Sequence, residues 1–149
     1  FFFKQKTAYE IPKRDWSSDV CSSDLSLRAL KGMLLNAKDH DTWSAGSFFV
    51  NPIVSSELAA KLPAEAPRWP QPDGRIKTSA AWLMEKSGIR KGHCYEGAGV
   101  SNKHVLALVN NGNAKASDII ELARASRKAV KDKFGITLEP EVQFVGISL

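Results

Sequence analysis

Long apolar runs are what this 149-residue sequence lacks first. No stretch approaches the roughly 20 residues a bilayer-spanning helix needs. The opening Phe1-Phe2-Phe3 passes at once into Lys4, Gln5 and Lys6 instead of a secretory apolar core. No membrane insertion and no secretion are expected, and the cytoplasm is the expected compartment. Cysteine is scarce as well. Cys21 and Cys94 lie far apart and form no CxxC pair, so neither a disulfide framework nor a zinc or other metal site is predicted. The net charge of +5 is not gathered into any block: lysines and arginines are scattered singly from Arg28 to Lys133, with no aromatics interleaved as on a base-stacking surface. That argues against nucleic acid and leaves an ordinary solvated face or a site for a small anion. A GxSxG elbow is absent, so a serine hydrolase has no support.

What remains is 43% hydrophobic and 25% charged, a composition that supports one globular core. Residues 1–25, FFFKQKTAYEIPKRDWSSDVCSSDL, show neither helical nor strand periodicity. KQKTAYEI and DWSSDVCSSDL resemble translated sequencing-library adapters, so this leader is expected to lie outside the domain, which is read as residues 26–149. Its exclusion leaves the basic excess unchanged, because Lys4, Lys6, Lys13 and Arg14 balance Glu10, Asp15, Asp19 and Asp24. It leaves Cys94 as the one cysteine to place, expected as a small buried apolar side chain rather than a nucleophile.

The pattern from Ser26 onward predicts an α+β domain, a small mixed sheet packed with helices. SLRALKGMLL reads as a helix end turning at Gly32. Trp43 to Val50 reads as a strand around Gly46 that stops at Asn51-Pro52. Ser55 or Ser56 caps a short helix reaching Leu62 and ended by Pro63. Ala64 to Gly74, rich in proline, reads as a loop. Thr78 or Ser79 caps AAWLMEKS, with Gly88 as its left-handed stop. Val105 to Val109 reads as a buried strand. Asp118 and Glu121 mark the start of the best helix, whose stripe Ile119, Leu122, Ala123, Ser126, Val130 and Phe134 keeps the helical period until Gly135. Glu141 to Val145 alternates as a strand does.

Three segments stand out chemically: AGSFFVNP around Ser47, EGAGVSNKH from Glu96 to His104, and LEPEVQF around Glu141. Taken singly, each is ordinary. A serine between glycine and aromatics is most often a strand residue, Gly97-Ala98-Gly99 is a GxG short of the dinucleotide fingerprint, and Glu-Pro-Glu is most often a solvated turn.

Together they are not ordinary. DTWSAGSFFVNPIV, PRWPQPDGRIKTSAAWL, GAGVSNKHVLALVNNGNAKASDI and ITLEPEVQFVG resemble, in order and separation, the last domain of UDP-N-acetylenolpyruvoylglucosamine reductases, from about Leu27 to Gly146. The resemblance implies a flavoenzyme of cell-wall precursor synthesis whose amino-terminal domains bind FAD, with NADPH as the hydride source and UDP-N-acetylglucosamine enolpyruvate as the substrate. It implies a monomer for the full-length enzyme, and a fragment inactive by itself. By position, Ser47 corresponds to the family's general acid and Glu141 to its catalytic carboxylate. Gly46 lets the backbone approach flavin or substrate closely. Asn51 and Lys91 stand where the diphosphate is contacted, Lys77 being a weaker candidate. Trp69 stands where an aromatic lies over the substrate. His104 is either a substrate contact or a structural histidine, and exposed-lysine and packed-aromatic readings stay open for Lys91 and Trp69. Where many relatives carry an arginine that helps bind the anionic substrate, this chain has Gln143, which cannot form a bidentate cationic clamp. The competing class is a non-catalytic basic module binding anions or nucleic acid.

Overall fold

The structure, a computed structural model, describes residues 25–149. The leader reading for residues 1–25 therefore lies, Leu25 apart, outside the described residues. A helical segment over 25–30 (α1) turns at Gly32, which takes φ +68°. After a 3-10 turn at His40–Thr42 come β1 (Ser44–Ser47), β2 (Ile53–Val54), α2 (Ser56–Ala60), β3 (Arg68–Pro70), β4 (Ile76–Thr78), α3 (Ala80–Lys86), β5 (Cys94–Tyr95), β6 (Ala98–Val100), β7 (Ala107–Asn110) and α4 (Ala116–Phe134). The α+β class is as expected, but the strands form two antiparallel sheets rather than a single mixed one. One runs β1-β7-β6-β5 and the other β2-β4-β3.

Local chemistry explains the helices. The Ser55 hydroxyl accepts the Leu58 amide and the Ser79 hydroxyl the Trp82 amide, each satisfying an otherwise orphaned donor of a first turn. α4 begins three residues before the expected start: Asp118 is not its cap, and its carboxylate instead reaches back to the Lys115 amide at 2.8 Å. Ile119, Leu122, Ala123, Ser126 and Val130 are buried along one face, and Gly135 at φ +68° ends the helix. That face packs on β6, β7 and α3. Leu83, Met84, Ile120, Leu122 and Leu138 are fully buried in the resulting core.

Two expectations change. The proline-rich segment is not all loop, since Arg68–Pro70 pairs with Ile76–Thr78. A proline is tolerated there because β3 is an edge strand, where a missing N–H breaks no ladder. The Arg68 guanidinium meanwhile donates to carbonyls of Ala59, Leu62, Pro63, Ala64 and Ala66, binding the loop before β3 into a compact knot. The Glu141–Val145 alternation is visible in burial, with Val142 buried and Gln143 exposed, yet it forms no strand of its own. The bridge Phe49–Pro140 and the Glu141 amide, which donates to the Phe48 carbonyl, join its start to the chain after β1. Among the described residues no helix is long and apolar enough to cross a membrane.

Leu122→Ala is expected to lower unfolding stability by about 2–5 kcal/mol through loss of buried methyl groups and the cavity left behind. Gly135→Ala, at a left-handed backbone position with open space around it, should cost about 1–2 kcal/mol. Urea denaturation of both variants checks the two values.

Candidate functional site

The site begins with an irregularity in β1. Ser44 pairs with Val109 and Ser47 with Ala107, so β1 spends one more residue than β7 over the same length. The extra residue is a bulge, which bends a strand and re-aims the side chain beyond it. Gly46 takes φ +81° at this bulge, a conformation that a Cβ would strain. The preceding Ser44 hydroxyl accepts the Gly46 amide at 3.2 Å. Ser47 is the side chain that follows.

Its hydroxyl lies 3.1 Å from Nε2 of His104, a residue 57 positions away. The half-buried His104 is held below the ordinary histidine pKa, first by the loss of water around the ring, then by the positive charges of Lys31 and Lys91. The imidazole therefore stays neutral at neutral pH. In that form Nε2 either accepts the Ser47 proton or donates its own, depending on the tautomer. Lys31 was not foreseen. A single lysine at a helix end carries no sequence signature, and only the turn at Gly32 brings it within electrostatic reach of His104.

The other expected residues fall into three groups. Glu141 is half-buried on the segment that crosses the end of β1: its amide donates to the Phe48 carbonyl at 2.8 Å, next to Ser47 in the chain. No hydrogen bond joins the Ser47 and Glu141 side chains. Asn51 is built into the fold, because its Oδ1 accepts the Ala80 amide at the start of α3 at 2.9 Å, which leaves the Nδ2 amide to meet a ligand. Trp69 is exposed on β3 and registers opposite Lys77, whose other neighbour is Ile53 on β2. These cross-strand partners share one face of the small sheet. Nothing links that row directly to Ser47 or His104. Lys91 and Gln143 are both exposed.

Cys94, expected inside, is exposed on the edge strand β5 instead. At an edge strand one side has no neighbour to cover it. The glycines of EGAGV serve packing rather than phosphate. A Cβ on Gly97 would stand 2.8 Å from the Ala114 amide nitrogen, and one on Gly99 would stand 2.8 Å from the Asn111 side chain and 3.3 Å from the His93 carbonyl. A cavity of about 830 Å³ lies alongside, bounded by Trp43, Ala45, Phe48, Leu108 and the first turn of α4. Neither Ser47 nor His104 lines it.

The depressed pKa of His104 fixes a sign. As pH falls, the unfolded chain takes up the proton near its ordinary value of about 6.5 before the folded chain does. The folded state therefore loses stability as pH falls through that value, and His104 contributes nothing to the pH dependence above it. His104→Gln should flatten this part of the profile when urea midpoints are compared from about pH 8 to pH 5.

The family described as UDP-N-acetylenolpyruvoylglucosamine reductase, C-terminal domain, matches residues 37–145. The UDP-N-acetylenolpyruvoylglucosamine reductase 2 of Corynebacterium glutamicum is 50% identical over 132 residues, covering 84% of this chain and 36% of the relative. The UDP-N-acetylenolpyruvoylglucosamine reductase of Mycobacterium marinum is 49% identical over 132 residues, with the same coverage. That of Cutibacterium acnes is 48% identical over 136 residues, covering 89% of this chain and 35% of the relative. The chain thus spans about a third of the length of the curated relatives it matches. With the match taking in the Ser47 bulge, His104 and Glu141 alike, the chain belongs to the UDP-N-acetylenolpyruvoylglucosamine reductase family, in its C-terminal domain.

Proposed function

We propose that this domain holds the UDP-sugar enolpyruvate of a UDP-N-acetylenolpyruvoylglucosamine reductase and presents the proton that completes reduction of its double bond. The observation that carries the reading is the Ser47 hydroxyl resting on the neutral His104 ring beside Lys31 and Lys91. A nucleotide diphosphate needs nearby cations, and a carbanion next to a carboxylate needs a positioned proton donor. Both are available within one neighbourhood.

The cofactor does not belong to this domain. No loop among the described residues suits a dinucleotide, because the glycines at 97 and 99 are filled by the chain packed against them. FAD and NADPH are assigned to the remaining two-thirds of the longer relatives, where reduced flavin, when bound, would be the source of hydride for C3 of the enolpyruvyl group. This chain's part is the other half. Ser47 gives its proton to C2, where negative charge develops. A serine is a weak acid, but the acceptor is a strong base, so placement matters more than acidity. The His104 ring sets the direction of the hydroxyl. Lys31, Lys91 and the Nδ2 amide of Asn51 bind the diphosphate end. Glu141 polarises the enolpyruvyl end, directly or through water.

Ser47→Ala in the full-length enzyme should leave flavin reduction by NADPH intact and slow reoxidation by the enolpyruvyl substrate by about 100-fold or more; stopped-flow measurement of the two half-reactions checks this. Equal loss in both would count against the proton-donor role. For the chain by itself, titration with UDP-N-acetylglucosamine should shift amide resonances around Lys31, Ser47, Lys91 and His104. Duplex DNA should shift the same signals weakly and lose them steeply with salt. Equal responses to both would favour a generic anion-binding module. Saturable FAD binding by this chain would overturn the assignment of the cofactor to the rest of the enzyme.

A further inference from the structure

A hydrogen bond between Ser47 and an imidazole is useful only if the ring is kept there, and the hydrogen bonds that lead from His104 back into the fold show what keeps it. We propose that Asp41 is a positioning residue that, acting through Ser101, fixes the backbone at His104 and so holds its ring on the Ser47 hydroxyl. This rests on the proposed role of Ser47 for its functional meaning, though not for its geometry.

The chain of contacts is continuous. Asp41 Oδ2 lies 3.1 Å from the Ser101 hydroxyl, which donates to it, and Oδ1 accepts the Asn102 amide at 2.8 Å. Ser101 is completely buried. Its oxygen accepts the amides of Lys103 at 3.0 Å and of His104 at 3.2 Å. A hydroxyl has one proton and two lone pairs. Here the proton goes to Asp41 and the lone pairs to the two amides, so every bonding capacity of the group is used and its orientation is determined. Removal of the carboxylate leaves a buried donor without its acceptor, an arrangement that drives the hydroxyl to turn and release the amides it was holding. The next residue along is His104 itself.

Asp41 is well placed for this. Its side chain is only 13% exposed, and it sits in the 3-10 turn at His40–Thr42, where the amide of Asp41 is received by the Asp39 carboxylate at 3.1 Å. The turn at Gly32 closes over the same point: a Cβ there would come within 3.2 Å of both the Asp41 carbonyl and the Lys103 side chain. Lys31 precedes that glycine. One clasp therefore sets both the ring at His104 and the backbone beside Lys31. The neighbouring Asp39–Lys103 pair, at 2.9 Å, is more than a third exposed on each side. Pairs of that kind contribute little, so Asp39→Asn, which breaks the charge pair but keeps an oxygen for the Asp41 amide, is a natural control.

The test follows the ring directly. Long-range nitrogen–proton correlation spectra of the histidine imidazoles would be recorded on this chain from about pH 8 to pH 5, for the parent and for Asp41→Ala, Asp41→Asn, Ser101→Ala and Asp39→Asn. Lys31 and Lys91, the charged groups that face the ring, stay unchanged throughout. The parent should show a single His104 tautomer and a pKa below about 6.5. Asp41→Ala and Ser101→Ala should mix the His104 tautomers and bring its pKa up toward that value. Asp41→Asn offers one acceptor oxygen where the carboxylate uses two, so it should fall between the parent and Asp41→Ala, and Asp39→Asn should match the parent. An unchanged His104 signal in Asp41→Ala, or in Ser101→Ala if the former does not fold, would overturn the proposal, as would equal shifts of all three histidines. Inorganic pyrophosphate added to the parent separates the two claims. Failure to move the His104 resonance would count against the anionic-substrate reading, while the ligand-free comparison of variants would still decide the role of Asp41.

Discussion

Three backbone hydrogen bonds at the end of β1 hold the candidate site together. The Phe48 amide donates to Leu106 at 2.7 Å, the Glu141 amide donates to Phe48 at 2.8 Å, and the Val50 amide donates to Glu139 at 3.0 Å. Through them the stretch after the bulge is tied both to the turn leading into β7 and to the C-terminal segment. Phe48 and Phe49 are consecutive and both buried. Successive residues of an extended chain point to opposite sides, so this stretch is covered on both. Their rings meet edge-on at 5.0 Å, and Phe144 of the C-terminal segment packs 6.1 Å from Phe48. Ser47 and Asn51 thus flank a segment anchored in the core, and Glu141 is carried by the chain bonded to it. Loosening those bonds would separate the site's members before it unfolded the sheet.

Several cations are occupied within the fold: Arg68 by backbone carbonyls, Arg75 by Asp73, Lys103 by Asp39, Arg124 by Glu121, Arg127 by Glu139 and Lys128 by Asp132. Lys31 and Lys91 have no carboxylate partner among the described residues, yet both act on a half-buried imidazole and oppose its protonation. Like charges converging on a partly desolvated ring gain nothing for the folded chain. Such an arrangement is what a site for an external anion requires, and locally unfavourable electrostatics of this kind concentrate at functional positions.

How much of this was legible in the sequence depended on whether the cause was local. Ser55, Ser79, Gly88 and Gly135 mark their helix ends correctly because a cap is decided within four residues. The buried run that becomes β7 was visible for the same reason. The strands β2 to β6 were not, since each is two or three residues long and exists only through its partner. In β3 the prolines also hide the pairing. The 141–145 alternation reported which side chains turn inward but not whether a ladder would form. For the site, Ser47 and Glu141 were named through family resemblance, and Gly46 through its conformational freedom. The Ser47–His104 contact and the approach of Lys31 are tertiary facts that no spacing in the chain encodes.

Most members of the candidate site are also structural parts, and this bears on what each can offer a ligand. Ser47 follows a bulge, Asn51 accepts the first amide of α3, and His104 is bonded to the Ser101 turn. Side chains already ordered by the fold incur little of the entropic penalty that binding otherwise carries, about 0.5–1.5 kcal/mol for each rotamer-rich side chain newly immobilised. Gln143 is the exception. It is exposed and lies beyond the last buried anchor, Val142. A glutamine there would have to be ordered at the moment of binding, and it brings no charge to offset that loss. On the proposed reading the anionic substrate is therefore held chiefly by the lysines around His104 and by the amide of Asn51, and the position that carries an arginine in many relatives contributes least in this chain.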